Sequence, residues 1–103
     1  MDNNLQELKM ELIRLTTLDL QNLEGLPPLE QALAHYVNDL ILNDFNRLIQ
    51  LLYRIDVSEP KLKLLLKENP SQDAGLLIAR MIIERQLKKI ETRKQFGRGS
   101  NEW

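Results

Sequence analysis

Proline and glycine are the residues that helix interiors exclude most strongly, and in this chain they fall at only four places. Gly25, Pro27 and Pro28 form the first junction and Pro60 the second. Pro70 and Gly75 mark the third, and Gly97 and Gly99 the fourth. The stretches between them are leucine-rich and charged, with apolar residues recurring three and four apart. This spacing predicts an all-α protein: a helical bundle of three long helices plus one short helix. No strand is needed, since Leu18-x-Leu20 is too brief an alternation to count. At 103 residues the bundle is a single domain, placed over 1–96, with 97–103 as a flexible C-terminal tail.

The first helix starts near Asn3 or Asn4, either of which can cap it. Leu5, Leu8, Leu12 and Leu15 form its apolar stripe, and one continuous helix would bring Asp19 to the centre of that stripe. The other reading is a break near Thr16. Thr16 and Asp19 have capping-box spacing, so a new helical segment would carry Leu18, Leu20 and Leu23 and stop at Gly25. Pro27-Pro28 then forces an extended link, with Pro28 as the first residue of the next helix. From Leu29 to Ile55 nothing interrupts the pattern, which predicts one helix of roughly 40 Å. Leu29, Leu33, Val37, Leu40, Ile41, Phe45, Leu48, Leu51, Leu52 and Ile55 share its broad apolar face, with His35, Asp39, Asn46, Gln50 and Tyr53 opposite. Ser58 caps a short helix that Asn69-Pro70 closes. Ser71 is the expected cap of the last helix, with Asp73 in its first turn, where the helix dipole favours negative charge.

The chain lacks cysteine, which excludes disulfides, thiolate metal sites and thiol catalysis. The N-terminus shows no basic region followed by an apolar run, and no segment approaches a membrane span. The expected location is the cytoplasm. Charge is unevenly spread: residues 1–59 carry ten acids and four bases, residues 60–103 five acids and ten bases. Either the two halves fold together and neutralise each other, or the second half offers a basic surface to an anionic partner.

Four groups of residues are candidates for function. Asp44 falls near the middle of the apolar face of the 29–55 helix, where an unpaired carboxylate is costly. Arg80 and Gln86 are its expected partners in a buried polar network that fixes helix register; a metal-ligand role is the sharper alternative. The basic run Arg85, Lys88, Lys89, Arg93 and Lys94 is a candidate surface for an anionic partner. Read as a helix-turn-helix, 60–69 and 71–95 would use the second helix on nucleic acid, but the residues it would present to base edges are Leu76, Leu77 and Ile78. Its positive charge sits at the C-terminal end, where it complements the helix dipole. The start of this helix is apolar nearly all round, which makes Leu77, Ile78, Met81 and Ile82 a candidate self-association surface. His35 and Asp39 have metal-ligand spacing on one helix, yet no second histidine accompanies them and a solvated pair is the plainer reading; the same holds for Glu7 and Glu11. Nucleophilic catalysis lacks its parts, and there is no glycine-rich phosphate loop. Trp103 in the tail is a candidate for docking on a partner.

At Tyr53-Arg54-Ile55-Asp56-Val57-Ser58-Glu59, Asp73-Ala74-Gly75 and Ile83-Glu84-Arg85-Gln86-Leu87, the chain resembles a small uncharacterised bacterial family of all-helical proteins of unknown function. The resemblance implies a bacterial cytoplasmic origin and a helical fold, and it brings no activity, cofactor or site. The leading expectation is a non-enzymatic protein–protein interaction module that self-associates, with no cofactor and no membrane partner. The alternatives are a nucleic-acid-binding regulatory protein using the basic last helix and, third, a metal-dependent enzyme.

Overall fold

The computed structural model describes residues 3–99, which form five helices and no strand: α1 (Asn3–Thr16), α2 (Leu26–Asn43), α3 (Phe45–Ile55), α4 (Glu59–Glu68) and α5 (Ala74–Gly99). The all-α expectation holds. The expected count differs, because one long helix is two. Every other helix packs against α5, and the α2–α5 pair is the most extensive contact. Polar contacts fix the direction of packing: Glu30 meets Arg80, and Asn38 meets Asp73, so α2 and α5 run antiparallel. The core is aliphatic. Leu8 and Leu12 of α1, Leu29, Leu33 and Val37 of α2, Leu48 and Ile55 of α3, and Ile82 and Ile90 of α5 are all sealed from solvent.

The chain breaks at Thr16, and α1 ends there. The Thr16 hydroxyl is buried, donates to the Leu12 carbonyl and accepts from the Leu18 backbone N–H at 3.2 Å. Thr17 adopts a left-handed φ of 62°, which stops the helix. No new helix starts here, contrary to the capping-box expectation. Residues 17–25 are irregular, yet Leu20 is buried and Leu18 and Leu23 pack on the core. Lys9 ties this linker down by donating to the Gln21 and Leu23 carbonyls at 3.3 and 2.8 Å. Asp19 lies in solvent. Gly25 is the N-cap of α2 with φ 90°, a conformation glycine takes without strain, and the prolines sit in the first turn of α2 rather than in an extended link.

The uninterrupted helix over 29–55 is overturned at Asp44. There the backbone turns to φ −158°, ψ 68°. The Asp44 N–H still donates to the Leu40 carbonyl, while its carboxylate accepts from the Arg47 N–H at 3.3 Å and so caps α3. The cause is local. Asn43 and Asp44 are weak helix formers and strong N-caps, and a straight helix would carry the Asp44 carboxylate into the core. The break turns it into solvent. It also resets the phase, so that Leu48, Leu51, Leu52 and Ile55 face inward while Phe45, expected on the core face, faces out. α3 ends at Asp56, a non-glycine residue in the left-handed region.

Ser58 caps α4 by accepting from the Lys61 N–H, and Asn69 closes it, as expected. α5 is capped by Asp73 rather than Ser71: its carboxylate accepts from the Leu76 N–H at 3.1 Å and from Asn38 Nδ2 at 3.0 and 3.1 Å. Gly75 is therefore not a junction but part of a helix contact. A Cβ at this position would lie 2.4 Å from Asn38 Cγ, so only glycine lets Asn38 reach Asp73 unhindered. α5 continues through Gly97 to Gly99, three residues into the segment expected to be a tail. The remainder of that segment, including Trp103, lies outside the described residues.

Candidate functional site

The four residues expected to form a self-association surface, Leu77, Ile78, Met81 and Ile82, are buried within the chain itself. Every other helix packs on α5, and with these four side chains buried the all-round apolar start offers no face to a second copy. Asp44, Arg80 and Gln86 are not brought together. Asp44 caps α3, Arg80 pairs with Glu30 at 3.3 Å on the surface, and Gln86 lies buried elsewhere on α5. Their separation follows from the break at Asp44, which takes the carboxylate off the apolar face.

The charge asymmetry between the two halves is partly resolved by folding. Among the described residues, five ion pairs join an acid of the first 59 residues to a base of the second half: Glu30–Arg80 and Asp56–Arg85 at 3.3 Å, Glu59–Lys63 at 3.4 Å, and Glu11–Arg93 and Glu7–Lys94 at 3.8 Å. Exposed pairs of this kind contribute about 0–1 kcal/mol each, so they orient helices more than they hold them. Of the five residues in the basic run, Arg85, Arg93 and Lys94 thus have an acid nearby. Lys88 and Lys89 have no acid within ion-pair distance among the described residues. The His35 and Asp39 side chains stay exposed; Asp39 accepts from Asn43 Nδ2 at 2.8 Å. Among the described residues no three His, Asp or Glu side chains gather as a metal site would require.

Two features absent from the sequence reading emerge. The first is the outer face of α3. Phe45, Ile49 and Tyr53 follow at four-residue spacing, within an arc of about 80° on the helix. They are 56%, 47% and 88% exposed, and Leu42, at the adjoining end of α2, is 82% exposed. Asn46 and Gln50 lie beside them, and no charged residue of α3 falls on this arc. Single exposed apolar residues are ordinary on a protein surface; a run of them along one helix is not. The sequence signal was present in the four-residue repeat, but an unbroken 29–55 helix assigns Phe45 to the core and Tyr53 to the polar side.

The second is a cleft of about 470 Å³ between α1, α3 and α5. Glu11 and Leu15 of α1, Arg54 and Ile55 of α3, and Arg85, Gln86, Lys89, Thr92 and Arg93 of α5 line it. Leu15 and Arg54 also line an adjoining depression that contains Asp44 and Arg47. Residues 85, 89 and 93 recur every four positions, which places three cations on the same side of α5. Gln86 is 4% exposed, and its carboxamide oxygen has no hydrogen-bond donor.

No helix among the described residues is long and apolar enough to cross a membrane. No protein-family model, curated protein or solved structure matches this chain.

Proposed function

We propose that the protein is a non-enzymatic protein–protein interaction module that pairs with a second copy of itself through the outer face of α3. The observation that carries this reading is the exposed run Phe45, Ile49 and Tyr53, joined by Leu42. Two arguments favour a second copy as the occupant. A two-fold contact must be self-complementary, and an apolar run with no charged residue on its own arc of α3 meets itself without like-charge repulsion. The area is also sufficient. The four side chains leave roughly 500 Å² per copy in solvent, so two copies cover on the order of 1,000 Å², the lower bound for a specific interface. A cysteine-free helical domain suits the reducing cytoplasm.

Sedimentation equilibrium tests the reading. The wild type should show twice the mass of one chain at micromolar concentration. Ile49→Lys and Tyr53→Lys should each return it to one chain with unchanged helical circular dichroism. A wild type that stays a single chain at 100-fold higher concentration overturns it. Nucleic-acid binding ranks second. Lys88 and Lys89 support it, but the N-terminal turns of α5, which would have to enter a groove, are covered by neighbouring helices.

A further inference from the structure

We infer that the cleft between α1, α3 and α5 binds a small phosphomonoester that also carries an N–H or O–H donor, the chemistry shared by mononucleotides and sugar phosphates. The electrostatics of the lining favour an anion. Arg54, Arg85, Lys89 and Arg93 face one acid, Glu11, whose carboxylate is already engaged by Arg14 at 3.0 Å and lies 3.8 Å from Arg93. Arg85 is steered by Asp56, donating to its backbone carbonyl at 3.2 Å and its carboxylate at 3.3 Å. Arg54 and Lys89 have no acid within ion-pair distance among the described residues. A phosphomonoester brings nearly two negative charges and three acceptor oxygens, which matches guanidinium forks and an ammonium better than a single carboxylate does.

Gln86 sets the second requirement. It is the most buried polar residue of the lining, and its oxygen accepts nothing from the protein. The oxygen is sealed in the rotamer seen; a half-turn of the carboxamide carries it to the cleft wall, where a ligand N–H or O–H meets it and the acceptor no longer goes without a donor. Thr92, exposed on the same wall, adds a hydroxyl. The cleft is concave and of the size that small ligands fill. A nucleic-acid strand would instead track an open basic stripe, and along α5 that stripe is interrupted where Arg93 and Lys94 meet Glu11 and Glu7. The site is separate from the outer face of α3, so it stands or falls independently of self-association.

Calorimetric titration of the full chain at low salt tests this with AMP and ribose 5-phosphate as probes. Inorganic phosphate and a single-stranded oligonucleotide serve as comparators. At least one of the two phosphomonoesters should bind about tenfold or more tightly than inorganic phosphate, and which of them does so distinguishes a base donor from a sugar donor. Arg54→Ala and Lys89→Ala, both at the surface, should weaken every phosphate compound by about tenfold. Gln86→Leu should bring the phosphomonoester down to the level of inorganic phosphate and leave inorganic phosphate unchanged. Tyr53→Lys should alter none of these. Absence of binding at millimolar ligand overturns the inference. So does binding that is indifferent to Arg54 and Lys89, or to Gln86 in a variant with native circular dichroism. Tighter binding of the oligonucleotide, with a steep salt dependence, replaces the small ligand with nucleic acid.

Discussion

The start of α5 and the outer face of α3 make opposite use of the same kind of sequence. Each carries more apolar side chains than one stripe needs. At α5 the surplus is Leu77, Ile78, Met81 and Ile82, and all four are buried because α5 is the helix on which every other helix packs. At α3 the surplus is Phe45, Ile49 and Tyr53, and all three face water because this short helix is covered on one side only. Apolar excess along a helix therefore does not mark an interface by itself. What decides is how many neighbours the topology puts around it.

The sharpest way to break this contrast is to truncate one residue from each region. Ile82→Ala should destabilise the fold by about 2–5 kcal/mol, the range for emptying a sealed core position, measured by chemical denaturation. Ile49→Ala should stay within about 0.5 kcal/mol when measured on the separated chains, as surface changes do. Equal losses at the two sites would mean that α3 is covered within the chain.

Smaller effects sharpen it. Asp44→Ala removes the cap that separates α2 from α3 and should cost about 1 kcal/mol in the same assay. A cost near zero would mean that the break does not depend on this carboxylate. Gly75→Ala should also cost about 1 kcal/mol, because the added methyl displaces Asn38 from Asp73 and that loss exceeds the gain in helix propensity. In an Asn38→Ala background the same substitution should become neutral or stabilising, and a cost that persists there would locate the clash elsewhere. Gln86→Leu should be the mildest, between neutral and about 1 kcal/mol stabilising, since it removes an unmet buried acceptor and extends the apolar face of α5 by a turn. Marked destabilisation would show that the carboxamide has a structural partner.

Local rules read much of the fold directly. Ser58 and Asn69 bound α4 as their chemistry dictates, and the misplaced Asp19 pointed to a stop at Thr16 because a carboxylate out of phase marks a break in phase. Asp44 is the same anomaly, and the same inference applies to it. Treated as a buried group in need of partners, it joins two helices into one and puts Phe45 on the wrong side. Asp73 competes with Ser71 as a cap, and the choice between them rests on Asn38, thirty-five residues away. Gly75 looks like punctuation for the same reason: the side chain that requires it belongs to another helix. The basic cleft could not be read at all, since its lining comes from three helices and its distinguishing feature, the unsatisfied Gln86, exists only once they pack.

The most direct test of the α3 contact uses the absence of cysteine from the chain. Single cysteines are introduced by Ile49→Cys, in the middle of the exposed run, and by Lys63→Cys on α4, and each protein is oxidised at micromolar concentration. Paired copies related by a two-fold axis near Ile49 should form the disulfide-linked dimer rapidly with Ile49→Cys and at the slow collisional rate with Lys63→Cys. Equal slow rates at both positions would contradict the pairing of α3 with itself.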